Sequence, residues 1–130
     1  MNFKFHHIGI VVKSIEQYES QMLPTEKIAE VIDEIQNSKL ALYQNDENSF
    51  IELIEPLNEK STSYNSLQKF GNHLNHLCYQ VESFTDLDRF MTEKKWIKVL
   101  GPVPAVLFNN REVVFYLTRS GQLIEFLQSK

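Results

Sequence analysis

Apolar residues crowd into short runs along this chain, and the runs fall in a repeating order. Asn2 to Val12, rich in Phe, Ile and Val, predicts a strand. Ser14 follows as a helix N-cap for a short helix reaching about Leu23, and Pro24 stops it. Ile28 to Ile35, Lys39 to Gln44 and Ser49 to Ile54 predict three strands, separated by Gln36-Asn37-Ser38 and Asn45-Asp46-Glu47-Asn48. The polar stretch from Pro56 to Gly71 predicts a linker, with a helical turn near Tyr64 to Phe70. The order then starts again. Asn72 to Val81 predicts a strand, Thr85 to Lys94 a helix, and Trp96 to Leu100, Glu112 to Thr118 and Gln122 to Leu127 three further strands. Pro102, Pro104 and Asn109-Asn110 place a loop between the second and third strands of this half.

Two βαβββ units in succession suggest an internal duplication, and the residues agree. An offset of 69 carries His7-Ile8, Val12, Ser14 and Met22 onto His76-Leu77, Val81, Ser83 and Met91. An offset of 73 carries Ile51-Glu52-Leu53-Ile54 onto Ile124-Glu125-Phe126-Leu127. The difference between the offsets fits loop growth around Pro102 to Asn110. At 130 residues the chain is expected to be one α+β domain, with half-modules 1–57 and 72–130 joined by a linker at 58–71.

Composition narrows the class. An apolar fraction of 42% with 23% charged residues is ordinary globular usage, which predicts a packed core. No apolar run approaches the roughly 18 residues of a membrane span, and the first residues lack signal-peptide order, so a cytoplasmic protein is expected. The single cysteine, Cys78, cannot form an internal disulfide and reads as a small buried hydrophobe. A net charge of −4 with scattered Lys and Arg offers no basic stripe for nucleic acid. Arg111, Arg119 and Lys98 are expected to be solvated charges, and Trp96, Tyr43, Phe115 and Tyr116 to fill the core.

Against this background four residues stand out. Residues two apart in a strand share a face, so Glu52 points with Phe50 and Ile54, and Glu125 with Leu123 and Leu127. An ionised carboxylate among such neighbours must find a cation, take a proton or face water. By the same parity His7 points with Phe5 and Val11, and His76 with Leu74 and Cys78. A lone strand histidine is most often structural; a histidine and a glutamate duplicated at the first and last strands of each unit predict four ligands related by a pseudo-twofold axis. Neutral imidazole and carboxylate suit cobalt, nickel, manganese, iron or zinc. His6 and His73 have the opposite parity and are expected on the surface or in the linker.

These segments resemble the vicinal oxygen chelate superfamily of glyoxalases, bleomycin-resistance proteins and extradiol dioxygenases, over nearly the whole chain. Phe5-His6-His7-Ile8-Gly9-Ile10-Val11-Val12 is similar to its opening strand and Ile51-Glu52-Leu53-Ile54-Glu55-Pro56-Leu57 to its fourth. Leu74-Asn75-His76-Leu77-Cys78 and Gly121-Gln122-Leu123-Ile124-Glu125-Phe126 resemble the segments bearing the third and fourth ligands. Within the superfamily the methylmalonyl-CoA epimerases are the most similar, through Glu-Leu-Ile-Glu-Pro-Leu and His-Leu-Cys. The resemblance implies an eight-stranded curved sheet around a cleft, one divalent ion held by His7, Glu52, His76 and Glu125, and a homodimer. It further implies that the ion polarises a carbonyl and stabilises an enolate, with Glu125 or Glu52 as the base.

The sequence departs from the epimerases at one point. Aligned back from Glu52, their second base falls at Gln36 and the following glycine at Ser38, and a glutamine accepts no proton at neutral pH. Glu34, two residues earlier, lies on the same face if the strand continues, and a small register shift would be needed to bring it in. The leading expectation is an isomerase or epimerase acting on an acyl thioester or an α-hydroxy or keto carbonyl compound. A lyase of the lactoylglutathione type needs the same four ligands and no second base. A non-catalytic small-molecule binder of the bleomycin-resistance type would not need the ligands at all.

Overall fold

The computed structural model describes residues 1–130, and the alternating runs pair into a single eight-stranded sheet. The first half contributes β1 (Lys4–Val11), α1 (Ile15–Glu19), β2 (Glu26–Asp33), β3 (Ser38–Gln44) and β4 (Phe50–Pro56). After α2 (Tyr64–Phe70), the second half contributes β5 (His73–Val81), α3 (Phe84–Glu93), β6 (Ile97–Ala105), β7 (Arg111–Leu117) and β8 (Leu123–Gln128). The strand order β2-β3-β4-β1-β5-β8-β7-β6 reads as two equivalent halves meeting at the β1–β5 pair. β1 lies parallel to β4 and β5 parallel to β8, which brings the first and last strands of each unit side by side. The α+β fold of two βαβββ modules in one curved sheet is thus what the sequence pattern and the resemblance predict.

Strand alternation sorts the apolar residues to two sides. One side gathers Val11, Leu40, Leu42, Ile54, Cys78, Val113, Phe115 and Leu127 into the largest cluster, closed by Leu107 and Phe108 from a single 3-10 turn, Val106–Phe108. On the other side Val12, Ile15 and Leu53 pack under α1, and Val81, Leu87, Met91 and Phe126 pack under α3. Cys78 is fully buried, as its apolar setting predicts.

The duplication extends to the capping and bracing of the helices. Ser14 accepts from the Gln17 amide at 3.1 Å and Ser83 from the Asp86 amide at 3.3 Å, satisfying an otherwise orphaned donor at each helix start. Tyr43 donates to Glu19 of α1 at 2.7 Å and Tyr116 to Asp88 of α3 at 2.9 Å. The same carboxylates meet Lys27 at 3.0 Å and Lys98 at 3.1 Å, so each helix is tied to two strands of its own half.

One segment differs from the sequence expectation. β6 runs to Ala105 through Pro102 and Pro104, where a loop is predicted. It is an edge strand with register shifts at Lys98/Leu100 and Leu100/Val103, and an edge tolerates residues that donate no ladder hydrogen bond.

Candidate metal centre

The parallel pairings carry the four duplicated residues to one place. His7 comes from β1, Glu52 from β4, His76 from β5 and Glu125 from β8, and all four side chains are buried. His7 Nε2 lies 3.3 Å from Glu52 Oε1 and 3.0 Å from Glu125 Oε1. His76 Nε2 lies 3.3 Å and 3.1 Å from the same oxygens, and 3.1 Å from His7 Nε2. These are separations of neighbouring ligand atoms on one first-row ion, whose bonds to nitrogen and oxygen run about 2.0–2.2 Å.

The polar chemistry tests that fit. Glu125 Oε1 is fully buried and has no well-directed hydrogen bond despite its two imidazole neighbours. Burial favours neutral groups, but the close approach of the imidazoles to the carboxylates overcomes it: Glu52 and Glu125 are held below the usual carboxylate range, His7 is held above its ordinary value and His76 rises to about 10. A buried ionic cluster of this kind costs several kcal/mol per ion in desolvation. The two carboxylate charges match one divalent ion, and four donor atoms converge where it would sit. His7, Glu52, His76 and Glu125 therefore form a group that could hold one divalent metal.

Close packing sets the position of each ring. A Cβ at Gly9 would lie 2.6 Å from both ring nitrogens of His76, so only glycine lets that imidazole lie against β1. Phe108 stacks on the His7 ring with centroids 5.4 Å apart, and Phe115 meets the His76 ring edge-on at 5.6 Å.

His6 departs from the surface position that strand parity predicts. It is only 6% exposed, and its Nδ1 lies 2.8 Å from Nδ1 of His7. The cause is a β-bulge, since Phe5 pairs with Tyr79 and His7 with Cys78, leaving His6 as an extra residue. The same bulge turns Phe5 outward to 40% exposure, away from the face it was expected to share with His7. Burial, then the neighbouring His7 and Arg111, push the His6 value down to about 4, which keeps its ring neutral. His73 begins β5 and bonds the Gly71 carbonyl, as a linker-end histidine should. His6, His7 and Cys78 also lie close together, but burial and the nearby carboxylates raise the Cys78 thiol well above its ordinary value.

A cavity of about 250 Å³ lies beside His76, separated from it by Asn75, which bonds that ring, and Phe115, which meets it edge-on. Ile54 and Leu123 enter it from the strands that carry Glu52 and Glu125, and Asn75, Phe115, Ser63 and Gln36 complete much of its wall. No Lys, Arg, Asp or Glu lines it. Gln36 thus borders the cavity. Glu34 is exposed beyond the end of β2, so it supplies no substitute base. The Gln36 side-chain amide instead donates to Asp33 at 3.3 Å, and Asp33 is buried beneath the turn. Of the three outlying cations, Lys98 is a surface ion-pair partner, Arg119 is exposed, and Arg111 is half-buried through bonds to Gln80 and the Gln128 carbonyl.

The sequence profile of the Glyoxalase/Bleomycin resistance protein/Dioxygenase superfamily matches residues 6–116. Comparison with curated proteins gives no match. Among solved structures, a hypothetical protein from Bacillus halodurans C-125 is 28% identical with a TM-score of 0.87, covering 100% of this chain and 96% of that one. Methylmalonyl-CoA epimerase from Mycobacterium tuberculosis is 22% identical with a TM-score of 0.84, covering 98% and 88%. A methylmalonyl-CoA epimerase in complex with methylmalonyl-CoA and NH4+ is 20% identical with a TM-score of 0.83, covering 99% and 96%. At the identities of these two epimerases the likeness is one of fold.

Proposed function

The chain belongs to the glyoxalase/bleomycin resistance protein/dioxygenase superfamily, and from that premise we propose that it is a metal-dependent isomerase acting on the carbon beside an acyl thioester or ketone carbonyl. The observation that carries this reading is the convergence of His7, Glu52, His76 and Glu125, with an uncharged cavity reached past Asn75 and Phe115, the two residues against His76. His7, Glu52, His76 and Glu125 would hold the ion. When bound, it would supply Lewis-acid polarisation of a carbonyl, which lowers the cost of forming an enolate.

The protein's own groups supply the rest. Glu125 or Glu52 would take the proton from the activated carbon and return it. The cavity, small against ordinary ligand pockets of about 300–1,000 Å³, suits the acyl end of a thioester with its carrier reaching into solvent. Ile54, Leu123 and Phe115 keep water from the reacting carbon, while Ser63, Asn75 and Gln36 offer neutral hydrogen bonds to its oxygens. With no charged side chain in the wall, a substrate carboxylate would find its counter-charge only at the ligand cluster. The epimerase neighbour bound to methylmalonyl-CoA is a precedent for such a substrate on this fold.

A lyase of the lactoylglutathione type is the second reading, and Gln36 is the observation that favours it, because that reaction needs no second base. Retention of all four ligands argues against a purely sequestering role. Solvent deuterium exchange into methylmalonyl-CoA and related thioesters, with metal-loaded protein, tests the leading reading. Incorporation at the α-carbon is expected; metal-loaded protein that exchanges no carbon acid contradicts it.

A further inference from the structure

The central β1–β5 ladder carries two bulges, and they fall at equivalent places. On β1 the extra residue is His6, immediately before His7. On β5 it is Asn75, immediately before His76, because Gly9 pairs with His76 while Ile10 pairs with Leu74. Between the two bulges His7, Ile8 and Gly9 pair in regular register with Cys78, Leu77 and His76. The same offset of 69 that relates His7 to His76 relates His6 to Asn75, so the bulges belong to the duplicated pattern.

Neighbouring strand residues ordinarily point to opposite faces, which would keep residues 6 and 75 away from the rings that follow them. A bulge removes that restriction by re-aiming one side chain. His6 Nδ1 thereby reaches His7 Nδ1 at 2.8 Å, and Asn75 Oδ1 reaches His76 Nδ1 at 2.7 Å. In both cases the contact is to the ring nitrogen that faces away from Glu52 and Glu125. An amide oxygen only accepts, so His76 must carry its hydrogen on Nδ1 to make this bond. Of two imidazole nitrogens at hydrogen-bond distance one donates and one accepts, and His6 is held in place between the Phe50 and Phe108 rings at 4.8 and 5.2 Å.

We propose that His6 and Asn75 are paired positioning residues that accept the Nδ1 hydrogens of His7 and His76, so that the Nε2 edge of each ring is turned into the cluster with Glu52 and Glu125, free to bind an ion. The inference rests on the metal-site reading above. It assigns a purpose to both bulges: they let one residue per half orient a ligand ring without adding a fifth donor to the cluster. Partners of this kind are worth about 10- to 100-fold in metal affinity.

The experiment titrates zinc alone into the full chain against a chromogenic chelator, for the wild type and four variants. Asn75→Leu and His6→Phe remove the acceptor with little change of bulk; Asn75→Asp and His6→Gln keep an oxygen acceptor. We expect the first two to bind zinc about 10- to 100-fold more weakly and the second two to stay near the wild type. In proton spectra of the zinc-loaded chain, Asn75→Leu should remove or shift only the His76 ring N–H signal, and His6→Phe only that of His7, which general loosening would not do. Acceptor-free variants that bind as tightly as the wild type overturn the proposal, as do acceptor-retaining variants that lose as much. A wild-type chain that binds no zinc overturns the metal-site reading itself, and the two failures are thereby distinct.

Discussion

His7 Nε2 faces His76 Nε2 at 3.1 Å, and each nitrogen also stands 3.0–3.3 Å from the same two carboxylate oxygens. With both imidazoles raised and both carboxylates lowered, the metal-free cluster is held together by protons on the two Nε2 atoms, which a bound ion would replace.

Metal uptake should therefore expel protons. His76, held at about 10 when the site has no ion, must give up its Nε2 proton to become a ligand. Zinc titrated near pH 7 in weak buffer is expected to acidify the solution, and apparent affinity should climb as pH rises toward about 10. Proton-neutral uptake contradicts this.

The metal-free protein should show the opposite dependence. His76 is raised above its ordinary 6.5, so its stabilising contribution is fully present below 6.5 and is lost as pH rises through about 10. Glu125 is held below its ordinary 4.5, so its contribution is present above 4.5 and is lost as pH falls. Denaturant melts of metal-free protein are expected to give the cluster's largest contribution between pH 4.5 and 6.5, falling on both sides.

Gly9→Ala drives a methyl group into the His76 ring. The substitution is expected to destabilise the fold by about 1–3 kcal/mol, as overpacking does, and to weaken zinc binding because the ring must move. Thermal melts and zinc titration read the two effects. Unchanged zinc affinity would mean that the close approach of Gly9 does not position His76.

Tyr43→Phe and Tyr116→Phe each remove one helix tie, to Glu19 and to Asp88. Both carboxylates are partly exposed and can be hydrated, so each change should cost only about 1 kcal/mol. Zinc affinity should not move, since neither tyrosine approaches the cluster. Equal losses in the two variants would support the equivalence of the halves.

Gln36→Glu places a carboxylate in the cavity wall, at the position where the resemblance to the epimerases implies a second base. It replaces the amide that donates to Asp33, so the new carboxylate meets a like charge and is expected to be a stronger base than an isolated one. Chiral analysis of exchanged thioester should show faster epimerisation than in the wild type. No gain would favour the lyase reading.

The fold was legible because its signal is repeated. Alternating apolar runs, Ser14 and Ser83 as caps, and the two Ile-Glu segments each appear once per half, so an ambiguous element in one unit is supported by its counterpart in the other. His7, Glu52, His76 and Glu125 were legible for the same reason. Strand parity failed at His6, Phe5 and Leu74, and the failure has one physical cause: a bulge adds a residue and reverses the facing beyond it. Leu74, expected beside His76, is 67% exposed. The correspondence of His6 with Asn75 was present in the sequence, but it pairs an imidazole with an amide and so escapes a search for identical residues. Gly9 carried no pattern at all, because its role depends on a ring contributed by the other half.

Whether the four residues hold an ion is decided by metal analysis of protein purified without chelator, comparing the wild type with His7→Ala, Glu52→Gln, His76→Ala and Glu125→Gln after circular dichroism confirms folding. Close to one divalent ion per wild-type chain is expected, with a large loss of bound ion in every variant. Folded variants that retain the full ion content would contradict it.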